Sequence, residues 1–442
     1  MAELHPFRAY RYNRHQVDLG LVLTQPYDKI TPQMQEQYYA ASPYNLISVE
    51  KGVPYPGDTA DNSVYTRAEG KLKEWTSEGI LVQDDAPAYY VYSQDFTLPG
   101  GSDRLVRTGL IALGRIEDYD AGVVFRHEKT LAAPKADRLE LLRHTRTQTG
   151  QLFMLYDDAS GETDAIMESV RAAPADAVLR DEYGVLHQLW NVTGDALLSR
   201  LASVLADKQL VIADGHHRYE TALTYRNESR ARTNLADKDA PYEFAMMTLF
   251  NAQSKNLKIL PTHRVVANLP KFDFDRFRSA AHVHFDWYGY TFADSAERGK
   301  IYKTFRKDLE TRGAARHTIG LYAGGNAFYL FILKKDADLE ALLPDVPAAV
   351  RELDVILLHR LLLERCLGIT AEAVAAETHI TYEREMDAAI AAVDRKEAQL
   401  ACLLNPVRVR EVVEIAVAGE VLPQKTTDFY PKLLSGIAIY RY

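Results

Sequence analysis

The segment VIADGHHRY at residues 211–219 concentrates side chains that could do chemistry. The mostly apolar residues 209–213 predict a short buried strand, and the residues after Asp214-Gly215 predict a helix. The first turn of such a helix presents free backbone N–H groups at the positive end of its dipole, an arrangement that binds anions. Gly215 lets the backbone approach a phosphate, and Arg218 could add a bidentate contact to phosphate oxygens. The segment therefore predicts a phosphate site.

Asp214 ends the predicted strand, where its carboxylate could bind Mg²⁺ or orient a nucleophile. The structural alternative stays open, because Asp-Gly is a common turn and Asp is an ordinary helix cap. A metal site made by His216 and His217 is disfavoured, since adjacent residues seldom point at one ion. The sequence contains neither GxxxxGK[ST] nor GxGxxG, so phosphate binding here would need another architecture.

Two further segments contain candidate site residues. Glu128 lies between a predicted strand and a predicted helix, where a carboxylate can come within about 3 Å of a hydroxyl and take its proton. The segment PQKTT contains Lys425 and Thr426, which suit a phosphate or carboxylate group. Lys129 and Thr130 are weaker candidates for the same cleft. For each of these segments the alternative is an ordinary solvated surface loop.

Helical and strand-like patterns alternate along the whole chain, which predicts a mixed α/β or α+β fold. Thr31-Pro32 is a cap followed by proline, and predicts a helix over Gln33–Ala40. Tyr44–Glu50 alternates apolar and polar residues like a strand. Weak linkers near residues 115 and 345 suggest three regions. These are an N-terminal α/β region (1–115), a core with the DGHHR loop (116–345) and a helix-rich C-terminal region (346–442).

The composition of the 442 residues, 47% apolar and 26% charged, is typical of a globular protein. Its 61 acidic and 52 basic residues give a net charge of −9, which argues against a nucleic-acid partner. Cys366 and Cys402 both lie among apolar residues and are predicted to be buried, reduced thiols. The N-terminus lacks the apolar run of a signal peptide, and no stretch is long enough to span a bilayer. We therefore expect a cytoplasmic protein without a membrane partner, whose oligomeric state the sequence does not predict.

The segment DGHHRYETAL at residues 214–223 resembles the signature of a family known as domain of unknown function ten-fifteen. The segments that support this resemblance are HPFRAYRYN at 5–13, PYDKITP at 26–32, SPYNLISVE at 42–50, RHEKTLAAPKADRLELLR at 126–143, LPTHRVV at 260–266 and LPQKTTDFYPKLLSG at 422–436. The signature is also similar to the phosphate-binding segment of the ParB/sulfiredoxin superfamily, which includes free-serine kinases with an Asp-Gly-His-His-Arg loop. The resemblance implies a ParB/sulfiredoxin-like core, elaborated by N-terminal and C-terminal α/β regions, with the PQKTTDFYPK segment returning to the cleft.

The resemblance to the kinases implies transfer of phosphate from ATP or ADP, with Mg²⁺, to a hydroxyl of a free amino acid such as serine or of a similar metabolite. Glu128, which follows His127, occupies the place of the base in those kinases. The resemblance thus gives a catalytic set and a phosphate- or nucleotide-binding set. The first is Glu128, Asp214 (also the tentative Mg²⁺ ligand) and His217, and the second is Gly215, His216, Arg218, Lys425, Thr426, Lys129 and Thr130.

The sequence leaves functions other than that of a kinase open. The first alternative is a regulatory module that binds a nucleotide or another anion in the same cleft without turnover. ParB-like nucleic-acid binding is disfavoured by the acidic charge and by the lack of a basic helix-turn-helix. Sulfiredoxin chemistry is excluded, because His216 stands where that reaction needs a nucleophilic cysteine.

Overall fold

A computed structural model describes residues 2–128, 132–233 and 237–442, with side chains in the second range from residue 135 onward. The chain forms two compact units. Unit 1 comprises Met1–Lys258 and Pro431–Tyr442, and unit 2 comprises Ile259–Tyr430. Both contain helices and sheets, which confirms the mixed α/β class. The predicted division at residues 115 and 345 stays a prediction.

The secondary structure elements are numbered in chain order. The strands are β1 (Leu4–His5), β2 (Tyr10–Tyr12), β3 (Leu81–Gln83), β4 (Tyr89–Thr97), β5 (Arg104–Arg115), β6 (Val124–Phe125), β7 (Thr147–Gln148), β8 (Leu152–Tyr156), β9 (Ala177–Arg180), β10 (Leu186–Val192), β11 (Leu210–Asp214), β12 (Phe244–Asn251), β13 (Lys258–Leu260), β14 (His263–Val266), β15 (Phe285–Thr291), β16 (Thr318–Tyr322), β17 (Ala327–Leu333), β18 (Ile380–Glu383), β19 (Leu400–Leu403), β20 (Asp428–Tyr430) and β21 (Tyr440–Arg441).

Helices connect most of these strands. The α-helices are α1 (Leu19–Val22), α2 (Pro32–Ala41), α3 (Ile47–Glu50), α4 (Val64–Ser77), α5 (Ala132–Thr145), α6 (Glu162–Arg171), α7 (Asp195–Leu205), α8 (His216–Thr233), α9 (Phe274–Ala281), α10 (Ser295–Gly313), α11 (Leu339–Leu342), α12 (Ala348–Arg351), α13 (Asp354–Leu357), α14 (Arg365–Leu367), α15 (Ala371–Ala375), α16 (Met386–Asp394) and α17 (Val409–Val417). Short 3₁₀-helices cover Tyr27–Lys29, Tyr119–Ala121 and Pro241–Glu243, and a π-helix covers Leu358–Glu364.

In the described part of unit 1, nine strands form one mixed sheet in the order β6-β11-β8-β12-β5-β4-β10-β9, with β1 added beside β5. The pairs β11–β6 and β12–β8 are parallel, and the other pairs are antiparallel. Strand β11 carries a bulge between Ile212 and Asp214, where its register against β8 shifts. A bulge re-aims the side chain that follows it. The last residue of β11 is therefore freed from the regular alternation of the sheet.

The two faces of this sheet have different coverings. On one face, alternate residues such as Met154 of β8 and Ile212 of β11 pack with Tyr219 of α8 in an apolar core. Because side chains alternate along a strand, the other face carries the residues between them, including Phe153. The buried Arg107 lies on that face, with its guanidinium 4.7 Å from the ring centre of Phe153. Arg107 also donates a hydrogen bond to the carbonyl oxygen of Pro431, so the last residues of the chain cover this face.

Unit 2 is built on a second sheet, with the strand order β15-β17-β16-β19-β14-β18. Its pairings are antiparallel. Helices α10 and α16 pack against it and bury an apolar core that includes Phe305, Phe328 and Val393. Strand β14 lies between β18 and β19, so Arg264 in its middle has strand neighbours on both sides.

Two expectations about the chain as a whole can be compared with the structure. Within the described ranges, no helix has both the length and the apolar character that a bilayer-spanning segment requires. Cys402 is buried and Cys366 partly buried, and both are free thiols. Burial raises the pKa of the Cys402 thiol to about 12, so this side chain behaves as a small apolar group in the core of unit 2.

We expect Gly109→Ala to lower the free energy of unfolding by about 1–3 kcal/mol, because the site has no room for a methyl group. A Cβ atom there would lie 2.6 Å from Cε1 of Phe250 and 2.9 Å from the carbonyl oxygen of Leu249. The matched control is Gly70→Ala, on an exposed position of α4 with no atom within 4 Å of the added carbon. That substitution should stabilise by about 0.5–1 kcal/mol, since alanine favours a helix. Urea unfolding of both variants measures the two effects, and equal stabilities would contradict this account of the packing.

Candidate functional site

The loop at residues 214–218 joins β11 directly to α8, as the sequence predicted. Gly215 has a φ of +94°, a conformation that side chains other than glycine rarely adopt. A Cβ atom on Gly215 would also lie 3.1 Å from Nε of Arg218 and 3.2 Å from its Cζ. The carbonyl oxygen of Gly215 accepts the first α8 hydrogen bond, from the N–H of Tyr219 at 2.9 Å. Glycine is thus required here both for the turn and for the approach of the guanidinium.

The carboxylate of Asp214 lies between two cations. Its Oδ2 is 3.5 Å from Nζ of Lys432 and 3.9 Å from Nη2 of Arg218. Burial by itself would raise the pKa of Asp214, but the charges of Lys432, Arg218 and Lys29 outweigh it and hold the pKa well below its usual range. Asp214 is therefore ionised at any physiological pH, and the cations around it outnumber it.

Lys432 contacts Asp214 although the sequence does not single it out. Its side chain is only 9% exposed, and its carbonyl oxygen accepts a hydrogen bond from Nε2 of Gln94 at 2.7 Å. The preceding residue, Pro431, accepts from Arg107. The segment LPQKTTDFYPKLLSG contains two lysines, and the sequence predicts a site role for the first of them, Lys425. Nothing local distinguishes the second lysine, since its role depends on a strand more than 200 residues earlier.

Arg218 is fixed from several sides. Its Nη1 donates to the carbonyl oxygen of Gln151 at 2.5 Å. A Cβ atom on Gly150 would lie 3.0 Å from the same nitrogen and 3.1 Å from Oγ of Ser435. Burial raises the pKa of Tyr27 to about 12, and the positive charge of Arg218 opposes that rise. Nη1 of Arg218 is thus bonded to the backbone, and its Nη2 faces Asp214.

The side chain of Gln151 is an unusual feature beside this arginine. It is completely buried, and neither its Oε1 nor its Nε2 has a hydrogen-bond partner among the described residues. A buried amide without partners costs about 1–3 kcal/mol. Such groups in native proteins call for a water molecule or a ligand to satisfy them. Gln151 is therefore a buried amide, on a residue whose carbonyl oxygen binds Arg218, with hydrogen-bonding capacity that the described residues leave unused.

Two buried histidines, His127 and His216, form hydrogen bonds next to the loop. The N–H at Nδ1 of His127 donates to the carbonyl oxygen of Ile212 at 2.7 Å, and the backbone N–H of His127 donates to Nε2 of His216 at 3.4 Å. Burial lowers the pKa of His127 to about 4 and that of His216 well below its usual value, so both rings are neutral at pH 7. Nε2 of His216 thus accepts a hydrogen bond from His127. A phosphate bound at this loop would contact the backbone N–H of His216 and not its ring.

The remaining predicted residues fall into three groups. Glu128 and His217 are both partly buried in unit 1; Glu128 follows the histidine that is tied to His216, and His217 is the second residue of α8. Lys129 and Thr130 lie outside the described residues. Lys425 and Thr426 belong to unit 2: Lys425 is exposed, with a φ of +58°, and Thr426 is buried, donating to the carbonyl oxygen of Pro423 at 2.6 Å. Their participation in one site with Asp214 stays a prediction.

The loop does not fit a Mg²⁺ site made by protein ligands alone. Among the described residues, no group of three or more His, Cys, Asp or Glu side chains is arranged to hold a metal ion. Asp214 is already paired with Lys432 and Arg218. Positive charge at the loop therefore comes from basic side chains, and a Mg²⁺ ion would need further ligands from a bound nucleotide.

A family model described as "Protein of unknown function (DUF1015)" matches residues 4–356, which include the whole loop. Three solved structures that resemble the chain are a conserved hypothetical protein from Pyrococcus furiosus, a free serine kinase in complex with AMP, and SbnI with a C-terminal truncation from Staphylococcus aureus. Their sequence identities are 12%, 11% and 10%, and their TM-scores 0.32, 0.33 and 0.33. They cover 73%, 73% and 74% of this chain and 90%, 86% and 85% of their own. No match was found among the curated proteins.

We expect Lys432→Met to raise the pKa of Asp214 toward its ordinary range, because the largest lowering charge is removed. A depressed carboxyl pKa stabilises the fold above the unfolded-state pKa of about 4, and this stabilisation is lost as the pH falls through the folded-state pKa. The variant should therefore lose about 1–3 kcal/mol of stability at pH 7 and unfold at a higher pH on acidification. ¹³C NMR of the Asp214 carboxyl carbon, followed from pH 7 downward, measures the change.

The control for this titration is Lys73→Met, which removes a lysine of α4 that is paired with Glu69 on the surface. This variant should leave the titration of Asp214 unchanged. If the Asp214 carboxyl titrates in both variants as it does in the wild type, the charge of Lys432 does not lower the pKa of Asp214.

Proposed function

The chain belongs to the DUF1015 family of proteins of unknown function, and for this member we propose the activity of a small-molecule phosphotransferase. The enzyme would transfer a phosphoryl group from ATP or ADP to a hydroxyl of a free amino acid such as serine, or of a similar polar metabolite. One observation carries the proposal: an ionised Asp214 lies between Lys432 and Arg218 at the start of α8.

Phosphoryl transfer depends mainly on positioning and on neutralising negative charge, and the loop supplies both. The α8 N-terminus offers backbone N–H groups and the positive end of an 18-residue helix dipole. Gly215 keeps the backbone accessible, and Lys432, Arg218 and Lys29 bring positive charge to the same place. The unpartnered amide of Gln151 could bind an oxygen or a hydroxyl of the substrate beside Arg218. The likeness of the loop to the Asp-Gly-His-His-Arg loop of free-serine kinases supports the same activity.

The reaction would be a direct displacement at phosphorus. The hydroxyl oxygen of the acceptor attacks the terminal phosphorus, and a new O–P bond forms while the bond to the bridging oxygen breaks. The leaving nucleotide keeps that electron pair, and the hydroxyl proton passes to the carboxylate of Glu128. Asp214 would orient the acceptor hydroxyl, since its pKa is too low for a base at pH 7. Lys432 and Arg218 would balance the charge that builds on the phosphoryl oxygens.

A second candidate function is nucleotide binding without turnover. The observation that favours it is the same ion pairing, because a carboxylate already compensated by Lys432 and Arg218 can serve only to keep two cations in place. In that case the loop would recognise phosphate groups and report them to a partner. Turnover measurements separate this candidate from the phosphotransferase.

Asp214→Asn should lower turnover at least about 100-fold, because a group that orients the reacting hydroxyl is lost. Glu128→Gln should do the same by removing the base. The assay supplies ATP or ADP and Mg²⁺ with a panel of free amino acids and hydroxy acids, and ³¹P NMR follows the phosphorylated product. The matched control is Asp58→Asn, which also breaks a carboxylate–arginine pair, here with Arg67, but away from the loop residues.

Stability is measured on the same variants so that activity and folding are separated. Asn cannot keep the ion pairs with Lys432 and Arg218, so Asp214→Asn should lose about 1–3 kcal/mol, as expected for Lys432→Met, and stay folded. Full activity of both Asp214→Asn and Glu128→Gln would refute the mechanism. Tight nucleotide binding without any product, across the whole panel, would favour the second candidate.

A further inference from the structure

Unit 2 contains a pocket of its own, with a volume of about 970 Å³. It opens between the start of β14, the segment that follows β19, helix α17 and the turns around residues 313–317 and 333–337. Its polar lining includes Thr262, Arg264, His317, Arg408 and Thr426. A cavity of this size is in the range of small-molecule sites. Of its lining residues, only Thr426 belongs to the predicted phosphate-binding set, and the proposed reaction steps use none of them.

Arg264 is the most unusual residue of this pocket. It is 1% exposed, yet its guanidinium has no carboxylate partner in the part of the chain that the structure describes. Its Nε donates to Nε2 of His359 at 3.3 Å, its Nη1 to the carbonyl oxygen of Thr262 at 2.5 Å and its Nη2 to that of Lys425 at 3.4 Å. These bonds use three of the five N–H donors of a guanidinium. Two donors therefore remain for a group in the pocket.

The titratable neighbours of Arg264 do not balance its charge. Burial lowers the pKa of Arg264 to about 10, so the side chain is still a cation at pH 7. Burial and the nearby guanidinium lower the pKa of His359 to about 3, so that ring is neutral. Burial raises the pKa of Cys402 to about 12 and also raises that of Tyr382, so neither becomes an anion. A buried charge is ordinarily paired, and here the protein supplies no counter-charge.

The backbone around Arg264 is also specialised. His359, which accepts from its Nε, lies in the π-helix Leu358–Glu364. π-Helical turns are rare and are frequently found at functional sites. The carbonyl oxygen of Lys425, which accepts from Nη2 of Arg264, belongs to a residue with positive φ. Two irregular backbone segments thus bind one buried cation.

We infer that this pocket binds a small anionic metabolite, whose carboxylate or phosphate oxygens take the two remaining donors of Arg264 and supply its missing counter-charge. A guanidinium suits both groups, because its parallel N–H bonds match two oxygens of either one. Four acidic side chains, Glu352, Asp354, Glu411 and Glu414, also line the pocket, and their charge disfavours a polyanion. The ligand is therefore a small molecule with one or two anionic groups.

The test uses the full-length chain with ¹³C-labelled histidine rings, whose signals are assigned by single His→Gln substitutions. His317 and His359 report on this pocket, and His127 and His217 report on the loop at Asp214, so phosphate binding at the two places is distinguished. Sodium phosphate and sodium succinate are titrated separately to about 50 mM at constant ionic strength, far above the roughly millimolar Kd expected for so small a ligand. Saturable shifts of His317 and His359 with either probe support the inference, and the probe that acts identifies the anionic group.

Arg264→Met should weaken this binding at least about tenfold, as expected for loss of a charged hydrogen-bond partner. Arg410→Met is the matched control, because it removes an exposed arginine of α17 that does not line the pocket. If thermal unfolding shows that Arg264→Met does not fold, Arg264→Lys keeps the charge without the paired donors and should still weaken binding measurably. Unmoved signals of His317 and His359 with both probes, or equal binding by the folded Arg264 variant and the wild type, would overturn the inference.

Discussion

The ionised carboxylate of Asp214 is the constraint around which unit 1 is arranged. A carboxylate at the end of a largely buried strand is costly unless opposite charges compensate it. Here Lys432, Arg218 and Lys29 compensate it with more positive charge than it carries. The surplus makes the α8 N-terminus attractive to a further anion, in addition to the helix dipole. The same interaction therefore compensates a buried charge and, in the function that we propose, favours the binding of phosphate.

Distant parts of the chain are needed to build this charge arrangement. The bulge in β11 frees Asp214 from the alternation of the sheet, and Gly215 makes room for the guanidinium of Arg218. Lys432 reaches Asp214 because Arg107 and Gln94, on neighbouring strands β5 and β4, bind the backbone of residues 431 and 432. The buried Arg107 thus holds residues 431 and 432 against the sheet, and Lys432 in this segment contacts Asp214.

The sequence predicted the local part of this arrangement and missed the long-range part. The strand before Asp214 and the helix after Gly215 follow from local patterns, and both are confirmed. The helix after Thr31 is also confirmed, with the Thr31 side chain accepting from the N–H of Met34. The predicted strand over residues 44–50 is wrong. There the side chain of Asn45 accepts the N–H of Ile47 at 2.9 Å, which starts a helical turn that alternation alone does not reveal.

Lys432 and Gln151 could not be predicted for a different reason. Their significance depends on burial and on partners that the chain brings together only when it folds, and no local spacing encodes that. The two buried arginines make the same point. Arg107 and Arg264 are equally buried, and both guanidiniums lie over aromatic rings. The charge of Asp214 acts on Arg107, whereas no carboxylate faces Arg264 among the described residues. Arg107 holds the last residues of the chain against the sheet through Pro431, and Arg264 keeps donors for the ligand that we infer in the unit 2 pocket.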